Sequence, residues 1–497
     1  MQLSRPFALR LGAVAVLAAC LSACAPLQPE RISLKALAQT TEEDRAAVRA
    51  EVPPLGERLT LDEAIARALK FNVDRRARQM EETFELRQFE LVGYDQLPKL
   101  LASAGYTARD SDRLVRSVDS VTGTPLSYSN PALSQSRAHM VNSLTLSWSL
   151  LDYGLARYNA EQAGDRLLAA TERRRKATHL LVQDVRIAYF RAASAQLLRD
   201  KVAAALRLAD EALADSRKAE GENLRAPLDG LRYQRQLTEN MRLLEAIQQE
   251  LSTARFELAQ LMNAPITAET TLAADELPAG ADPLATPAEA MEDTALAQNP
   301  DLREQMYQRR IAAIEARKVV ARAYPNLSFS LGTTHDSDRY LVNPTWTEVG
   351  AQFGTNLFNL LSLPAQKRGA AAAIQLADER RLAAHVAVIA QVHIAREQLA
   401  GTRRQFERAE SLWQLDQRIL EQTRLREEAR AGSKLDRVAA ETTAIVSQLR
   451  RFQALAQWHA AISRLQSTLG VDAMPDSADD LSLDALRAEV RSRLLGV

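Results

Sequence analysis

The sequence predicts a mainly α protein with a small β part, built from one unit used twice: a helix, a strand pair, then a long helical hairpin. Three observations predict it. Distant segments repeat each other at constant spacing. Long stretches lack helix breakers. Short blocks between them alternate with period two.

The repeat is read first. "LDEAIARALKFNVD" from Leu61 runs against "PAEAMEDTALAQNPD" from Pro287, with one insertion in the second copy. Beyond it Asn72, Asp74, Pro98, Leu100 and Gly105 fall without a gap on Asn299, Asp301, Pro325, Leu327 and Gly332. "VRIA" at Val185 to Ala188 matches "VHIA" at Val392 to Ala395, and the copies finish alike at Leu261 to Pro265 and Leu469 to Pro475. The chain divides accordingly into residues 1–23, a targeting segment; 24–56, a leader; 57–281 and 282–475, the two repeats; and 476–497, a tail.

Each element follows in order. Residues 57–92 and 301–323 contain no Gly or Pro, so each reads as an opening helix, and Asp62 suits the positive end of a helix dipole. Strands are expected near 98–108 and 142–151, then near 326–334 and 347–358. Leu144, Leu146, Trp148 and Leu150 alternate with Ser143, Thr145, Ser147 and Ser149; Leu327, Phe329 and Leu331 alternate with Ser328 and Ser330. Leu100 to Tyr106 alternates least well. Polar loops at 109–140 and 333–346 separate the members of each pair.

Long helices are expected over 155–220 and 365–431, each roughly 100 Å long at 1.5 Å per residue. The returning helices, 228–263 and 434–469, carry coiled-coil stripes. In the second, Leu435, Val438, Thr442, Ile445, Leu449, Phe452 and Ala456 alternate steps of three and four, and after a phase slip Leu455, Trp458, Ile462, Leu465 and Leu469 continue. Leu237, Met241, Leu244, Ile247, Leu251, Ala254, Leu258 and Leu261 repeat the pattern in the first. Such stripes are core seams rather than a cofactor box. The tail holds a short amphipathic helix through Leu486, Val490 and Leu494.

The N-terminus reads as a lipoprotein signal. Arg5 and Arg10 precede a short apolar run, Leu11 to Leu21, too short to span a bilayer comfortably. It ends in Leu21-Ser22-Ala23-Cys24, a lipobox-like sequence that makes Cys24 the expected lipidated (palmitate-bearing) residue, with Cys20 the alternative. Ala25 after it suggests delivery to an outer membrane. Both cysteines of the chain lie in this segment, so the mature protein has no disulfide and no thiolate metal site. Residues 25–56 form a polar, Pro-bearing leader expected to run along the exterior of the helices.

Composition excludes several functions. Lys+Arg and Asp+Glu both number 63, so no net charge draws the chain to nucleic acid. The six histidines, at 139, 179, 335, 385, 393 and 459, contain no i, i+4 zinc pair. There is no phosphate-binding glycine loop and no Gly-x-Ser-x-Gly elbow. No catalytic residue, cofactor or metal ligand is assigned, and the chain reads as a non-enzyme. No other stretch approaches eighteen continuous apolar residues, so any further membrane contact must come from strands, which must close on themselves in lipid. Four strands per chain are fewer than the roughly eight of the smallest single-chain barrels, so either at least two chains associate or the strands are not membrane strands.

The opening "LTLDEAIARAL…N", its degenerate copy before "NPDL", the strand entry "YPNLSFS" and the two hairpins resemble the TolC-like outer-membrane efflux proteins, over residues 57–475. The resemblance implies a homotrimer, a 12-stranded transmembrane β-barrel with four strands per chain, and an α-helical tunnel. It also implies a periplasmic adaptor (a membrane fusion protein) and an inner-membrane pump as partners, in tripartite efflux or type I secretion. It places adaptor docking at the hairpin tips, which here read "AEGENLRAPLD" and "AGSKLD". The residues it selects are Gly221, Leu228 and Asp229 in the first tip and Gly432, Leu435 and Asp436 in the second. A structural alternative stands beside docking: the glycines turn the chain, each Asp serves a helix N-terminus, and each Leu begins a core stripe. Arg424, Arg426, Glu427, Glu428 and Arg430 near the second tip read as a solvated face. The competing reading of the whole chain is a periplasmic, lipid-anchored coiled-coil adaptor without a pore.

Overall fold

The computed structural model describes residues 31–495, except 51, 117, 125–131, 222–226, 266–269, 274–282 and 473–479. Cys20 and Cys24 lie outside the described residues. The chain falls into two compact units, residues 1–53 and 54–497. The first holds helix α1, Leu34–Arg49, whose first turn is capped by the Ser33 hydroxyl accepting from the Ala36 N–H at 3.1 Å.

The second unit repeats its elements at equal length. The first copy runs β1 (Arg58–Leu59), α2 (Leu61–Phe71), α3 (Val73–Tyr94), β2 (Lys99–Ala108), a hairpin of β3 (Arg113–Val115) and β4 (Ala132–Gln135), β5 (Ala138–Ser149), α4 (Leu150–Gly221) and α5 (Pro227–Met262), then β6 (Thr271–Leu272). The second runs α6 (Ala288–Gln298), α7 (Pro300–Ala321), β7 (Asn326–Asp336), β8 (Thr345–Gly354), α8 (Leu357–Glu428) and α9 (Lys434–Leu469); α10 (Leu483–Leu495) follows. Helices of 11, 22, 72 and 36 residues occur in that order in both copies. A lone chance similarity would not match four lengths, so the duplication extends from sequence to architecture.

The opening helix expected over 57–92 is in fact two, because an asparagine breaks it, while the one expected over 301–323 is the single helix α7, preceded by α6. Asn72 closes α2 and caps α3: its Oδ1 accepts from the Arg75 N–H at 2.9 Å, and its Nδ2 donates to the Leu261 carbonyl at 3.0 Å. Asn299 does the same between α6 and α7, accepting from the Asp301 and Leu302 N–H groups at 3.0 and 3.2 Å and donating to the Thr468 carbonyl at 2.8 Å. One side chain thus ends a helix, starts the next and ties both to the foot of the returning helix. At that foot α5 and α9 both end on a left-handed residue, Asn263 at φ 52° and Gly470 at φ 73°.

The stripes form the seams. Ala195, Leu198, Val202 and Ala205 of α4 pack with Leu244, Ile247, Leu251 and Ala254 of α5 and with Ile445 and Leu449 of α9. Small residues on α4 let the larger α5 residues approach closely; Leu237, Leu244 and Leu258 are fully buried, each stabilising by roughly 1.5–3 kcal/mol. The second hairpin packs Val388, Val392, Ala395 and Leu399 of α8 on Ala461 and Leu465 of α9, with Met291 and Ala295 of α6.

Boundaries differ from expectation in one instructive place. Helix α8 begins at Leu357 rather than 365 and carries Pro364 within it. Pro364 is the eighth residue of the helix, where its missing N–H forfeits the bond to the Leu360 carbonyl, and Asn356 caps the start by accepting from the Phe358 N–H at 3.0 Å. The tail helix α10 docks on α2. Leu486 and Val490 are buried, and Arg487 donates to Asp62 at 2.9 Å and to the Thr60 hydroxyl at 3.1 Å.

Candidate functional site: the two-faced sheet and the hairpin tips

Four strands form one antiparallel sheet in the order β2-β5-β7-β8. Its register places side chains in rows across the strands. Leu100, Leu146, Leu331 and Val349 lie side by side, and Trp148 sits beside Phe329 on the same face. One residue along, Leu101, Thr145, Gly332 and Glu348 form the opposite row, and Ser147, Ser330 and Gly350 the next. The alternation read in β5 and β7 therefore aligns across strands instead of cancelling. Polar neighbours bond across strands, Ser103 to Ser143 at 2.7 Å on the Ser and Thr face and Thr333 to Thr347 at 3.1 Å in the Leu144 row of the other face.

Within one chain the oily face is bare. Leu100, Leu146, Leu331 and Val349 are 65, 40, 48 and 82 % exposed. Among the described residues the outer strands β2 and β8, ten residues each, have no partner on their far edges. Unpaired edge groups beside an oily face are costly in hydrocarbon, several kcal/mol each, and prone to pair in water. Such a sheet requires further strands from elsewhere. Among the described residues no helix is long and apolar enough to cross a membrane.

At the outer end of the sheet a buried polar cluster joins the two loops. The Asp338 Oδ1 accepts from the Ser136 N–H at 3.0 Å, the Ser136 hydroxyl at 2.7 Å and the Tyr340 N–H at 3.1 Å. Sequence reading missed this latch, whose partners stand some 200 residues apart.

The hairpin tips differ from each other. In the second, α8 ends with Arg430 in the left-handed position (φ 55°), while the Arg430 and Ala431 N–H groups bond back to the Glu427 and Arg426 carbonyls at 2.8 Å each. The expectation that Gly432 supplies the turn is corrected: the positive φ belongs to Arg430. Gly432 instead passes close to the helix end, where a Cβ would stand 3.3 Å from the Glu427 nitrogen. Asp436 completes a capping box with Ser433: its N–H donates to the Ser433 hydroxyl and its carboxylate accepts from the Ser433 N–H, both at 3.2 Å. Leu435 packs against the cluster of Ala212, Leu237 and Val438. In the first tip Gly221 ends α4, residues 222–226 lie outside the described residues, and Leu228 and Asp229 open α5. Leu228 is 59 % exposed, and Asp229 is exposed with Arg232 3.8 Å away.

The charged residues near the second tip hold the hairpin to itself. Arg437 spans Glu427 and Glu441, both at 3.2 Å, and Arg424 reaches Glu441 at 3.0 Å. Lys434 crosses to Asp215 of α4 at 2.6 Å, and that hydrogen bond holds the exposed Asp215 carboxyl below its ordinary range. Further up, His459 lies in the core, stacked on Phe190 at 4.7 Å, and burial together with Arg186 pushes its pKa down to about 3, so it is neutral.

Comparison with known proteins adds to this geometry. No protein-family model and no curated protein sequence matches the chain. Solved structures do. The CmeC outer-membrane channel of Campylobacter jejuni superposes with a TM-score of 0.62 at 13 % identity, covering 88 % of this chain and 90 % of that one. The outer-membrane protein VceC of Vibrio cholerae gives 0.60 at 16 % identity, covering 82 % and 96 %. The open state of the MtrE outer-membrane channel of Neisseria gonorrhoeae gives 0.57 at 18 % identity, covering 81 % and 88 %. The chain has the fold of these channels.

Proposed function

We propose that this chain is the outer-membrane exit channel of a tripartite efflux or type I secretion assembly, conducting cargo passively and catalysing nothing. One observation carries the reading. Leu100, Leu146, Leu331 and Val349 make an oily row across all four strands, while among the described residues both edges stay unpaired. Edge β8 of one copy pairing with edge β2 of the next satisfies both, and three copies give twelve strands. The Ser and Thr face then lines a wet lumen, and the 72-residue helices continue it as a tunnel roughly 100 Å long. Lipidation at Cys24 would tether the chain to the same membrane. The fold shared with the outer-membrane channels supports this reading.

The helix tips point away from the sheet and are the place for the periplasmic adaptor, with an inner-membrane pump behind it. Leu228 and Asp229 offer an exposed leucine beside a carboxylate, whereas Leu435 and Asp436 are already engaged by the core seam and the capping box. A pore-free coiled-coil adaptor would have no use for an oily four-stranded sheet. The test is single-channel conductance of the detergent-purified protein in planar bilayers, with its oligomeric mass measured first. Discrete conductance steps from a trimer are expected. A monomer that stays soluble without detergent and gives no conductance would reject the channel.

A further inference from the structure

Just beneath the sheet, α3, α4 and α7 leave a groove of about 750 Å³ between them. Gly164 makes room at its floor for the Phe89 ring, which lies 3.5 Å from where a Cβ would sit. Four arginines line the groove, at 157, 309, 310 and 317, against two carboxylates, Glu161 and Asp165. Arg310 is engaged by Asp165 at 2.7 Å and Arg309 by Asp378 at 3.3 Å. Arg157 stands 3.6 Å from Glu161, beyond hydrogen-bond distance, and Arg317 has no carboxylate partner among the described residues. The groove thus offers two guanidinium groups with donors to spare.

Its direction and depth are fixed by the helix face. Tyr153, Arg157, Glu161, Gly164 and Leu168 succeed one another at steps of four, four, three and four, so they share one face of α4. Tyr153 meets Trp148 edge-on at 5.8 Å, and Trp148 belongs to the oily face of the sheet. The groove therefore opens on the oily side, away from the Ser and Thr face. Exposed apolar side chains collar the junction above it, among them Leu150, Tyr324, Leu357 and Phe358. Arg157 lies about 6 Å below Tyr153 along α4, and Arg317 about 6 Å below the end of α7 at Ala321. Aromatic collars mark the level of lipid headgroups, and guanidinium groups one or two turns beyond stand at phosphate depth.

We infer that the groove holds the phosphate of a glycerophospholipid from the adjoining leaflet between Arg157 and Arg317, its acyl chains rising past Leu150 and Tyr153. Guanidinium forks match phosphate oxygens in geometry as well as charge. A bilayer presents that phosphate already oriented and concentrated at the groove mouth, which favours lipid over free anion. The inference rests on the reading that the sheet spans the membrane.

Native mass spectrometry of the assembled full-length protein, supplied with phosphatidylglycerol in detergent, tests it. Wild type is expected to keep one lipid per protomer, and the Arg157→Gln/Arg317→Gln variant to lose lipid affinity by about tenfold or more. A control pair on α8, Arg404→Gln/Arg418→Gln, is expected to bind as wild type does, and inorganic phosphate to leave the lipid in place. Equal lipid retention by the groove variant would overturn the proposal; so would equal loss in the control pair, which indicates bulk charge alone, or displacement of the lipid by inorganic phosphate. Planar-bilayer conductance of the same preparations separates the two readings. Conductance with unchanged lipid binding sinks the groove alone, while a soluble protein without conductance sinks both.

Discussion

Replacing Asn299 by Ala removes three hydrogen bonds from one buried joint. Its Oδ1 caps α7 through two N–H groups, and its Nδ2 satisfies the Thr468 carbonyl at 2.8 Å. Loss of an N-cap costs about 1 kcal/mol, and a buried carbonyl left unpaired about 1–3 kcal/mol. Together they predict a loss of about 2–4 kcal/mol. Asn299→Asp separates the two parts. It keeps the cap acceptor and gains favourable charge at the helix N-terminus, but it sets a carboxylate against the Thr468 carbonyl, so most of the bridge energy is still lost. The assay is urea unfolding followed by helical circular dichroism, with amide exchange read on the peptide spanning 300–310. Fast exchange in Ala but not Asp, with both destabilised, is the expected pattern. If Asp matches wild type in the urea midpoint, the Nδ2 bridge contributes nothing and the joint is only a cap.

Other consequences follow from single contacts. Burial works against the Asp62 charge, but the Thr60 hydroxyl and the Arg487 guanidinium hold its carboxyl below the ordinary 3.8 in the folded chain. That stabilisation is complete above the unfolded value and is lost as pH falls through the lower folded value. Arg487→Gln should therefore cost about 1 kcal/mol or less at pH 7 and progressively less below pH 4, read as a shrinking gap between the two melting curves. Leu331→Lys on the oily face should cost about 2–4 kcal/mol and block detergent-resistant assembly, while Ser330→Lys, one residue along, should assemble; equal assembly of both would refute the assignment of faces. Gly470→Ala places a Cβ 2.2 Å from the Gln298 carbonyl oxygen at a left-handed φ of 73° and should cost roughly 3 kcal/mol or more in urea unfolding. Arg430→Gly should instead stabilise by up to about 1 kcal/mol by relieving the same conformation at φ 55°.

What could be read in the sequence was whatever has a short period. The strand faces follow from alternation within β5 and β7, and the seams of α5 and α9 from steps of three and four, because both patterns are set by residues within a turn or two. The joints escaped because an asparagine side chain breaks the helix without a glycine or proline inside α2 and α3. Its only trace was Asn72 and Asn299 falling on each other in the repeat, with Pro300 directly after the second. The Asp338 latch and the docking of α10 on α2 were illegible for another reason: their partners lie about 200 and 425 residues away, and no local pattern announces them.

The tips show how duplication permits divergence. Both began as the same turn between a 72-residue and a 36-residue helix, yet the second now closes on itself. Arg430 ends its helix, Ser433 and Asp436 cap the next, and Lys434 ties it to α4 at Asp215. Each of these contacts uses a group that a partner would otherwise have to engage, so recognition there must compete with the fold. At the first tip Leu228 is exposed, and among the described residues the ion-pair neighbour of Asp229 is Arg232 of its own helix at 3.8 Å. If the tips dock an adaptor as proposed, an exposed Leu228 beside Asp229 costs the described part of the fold less to engage than Leu435 and Asp436.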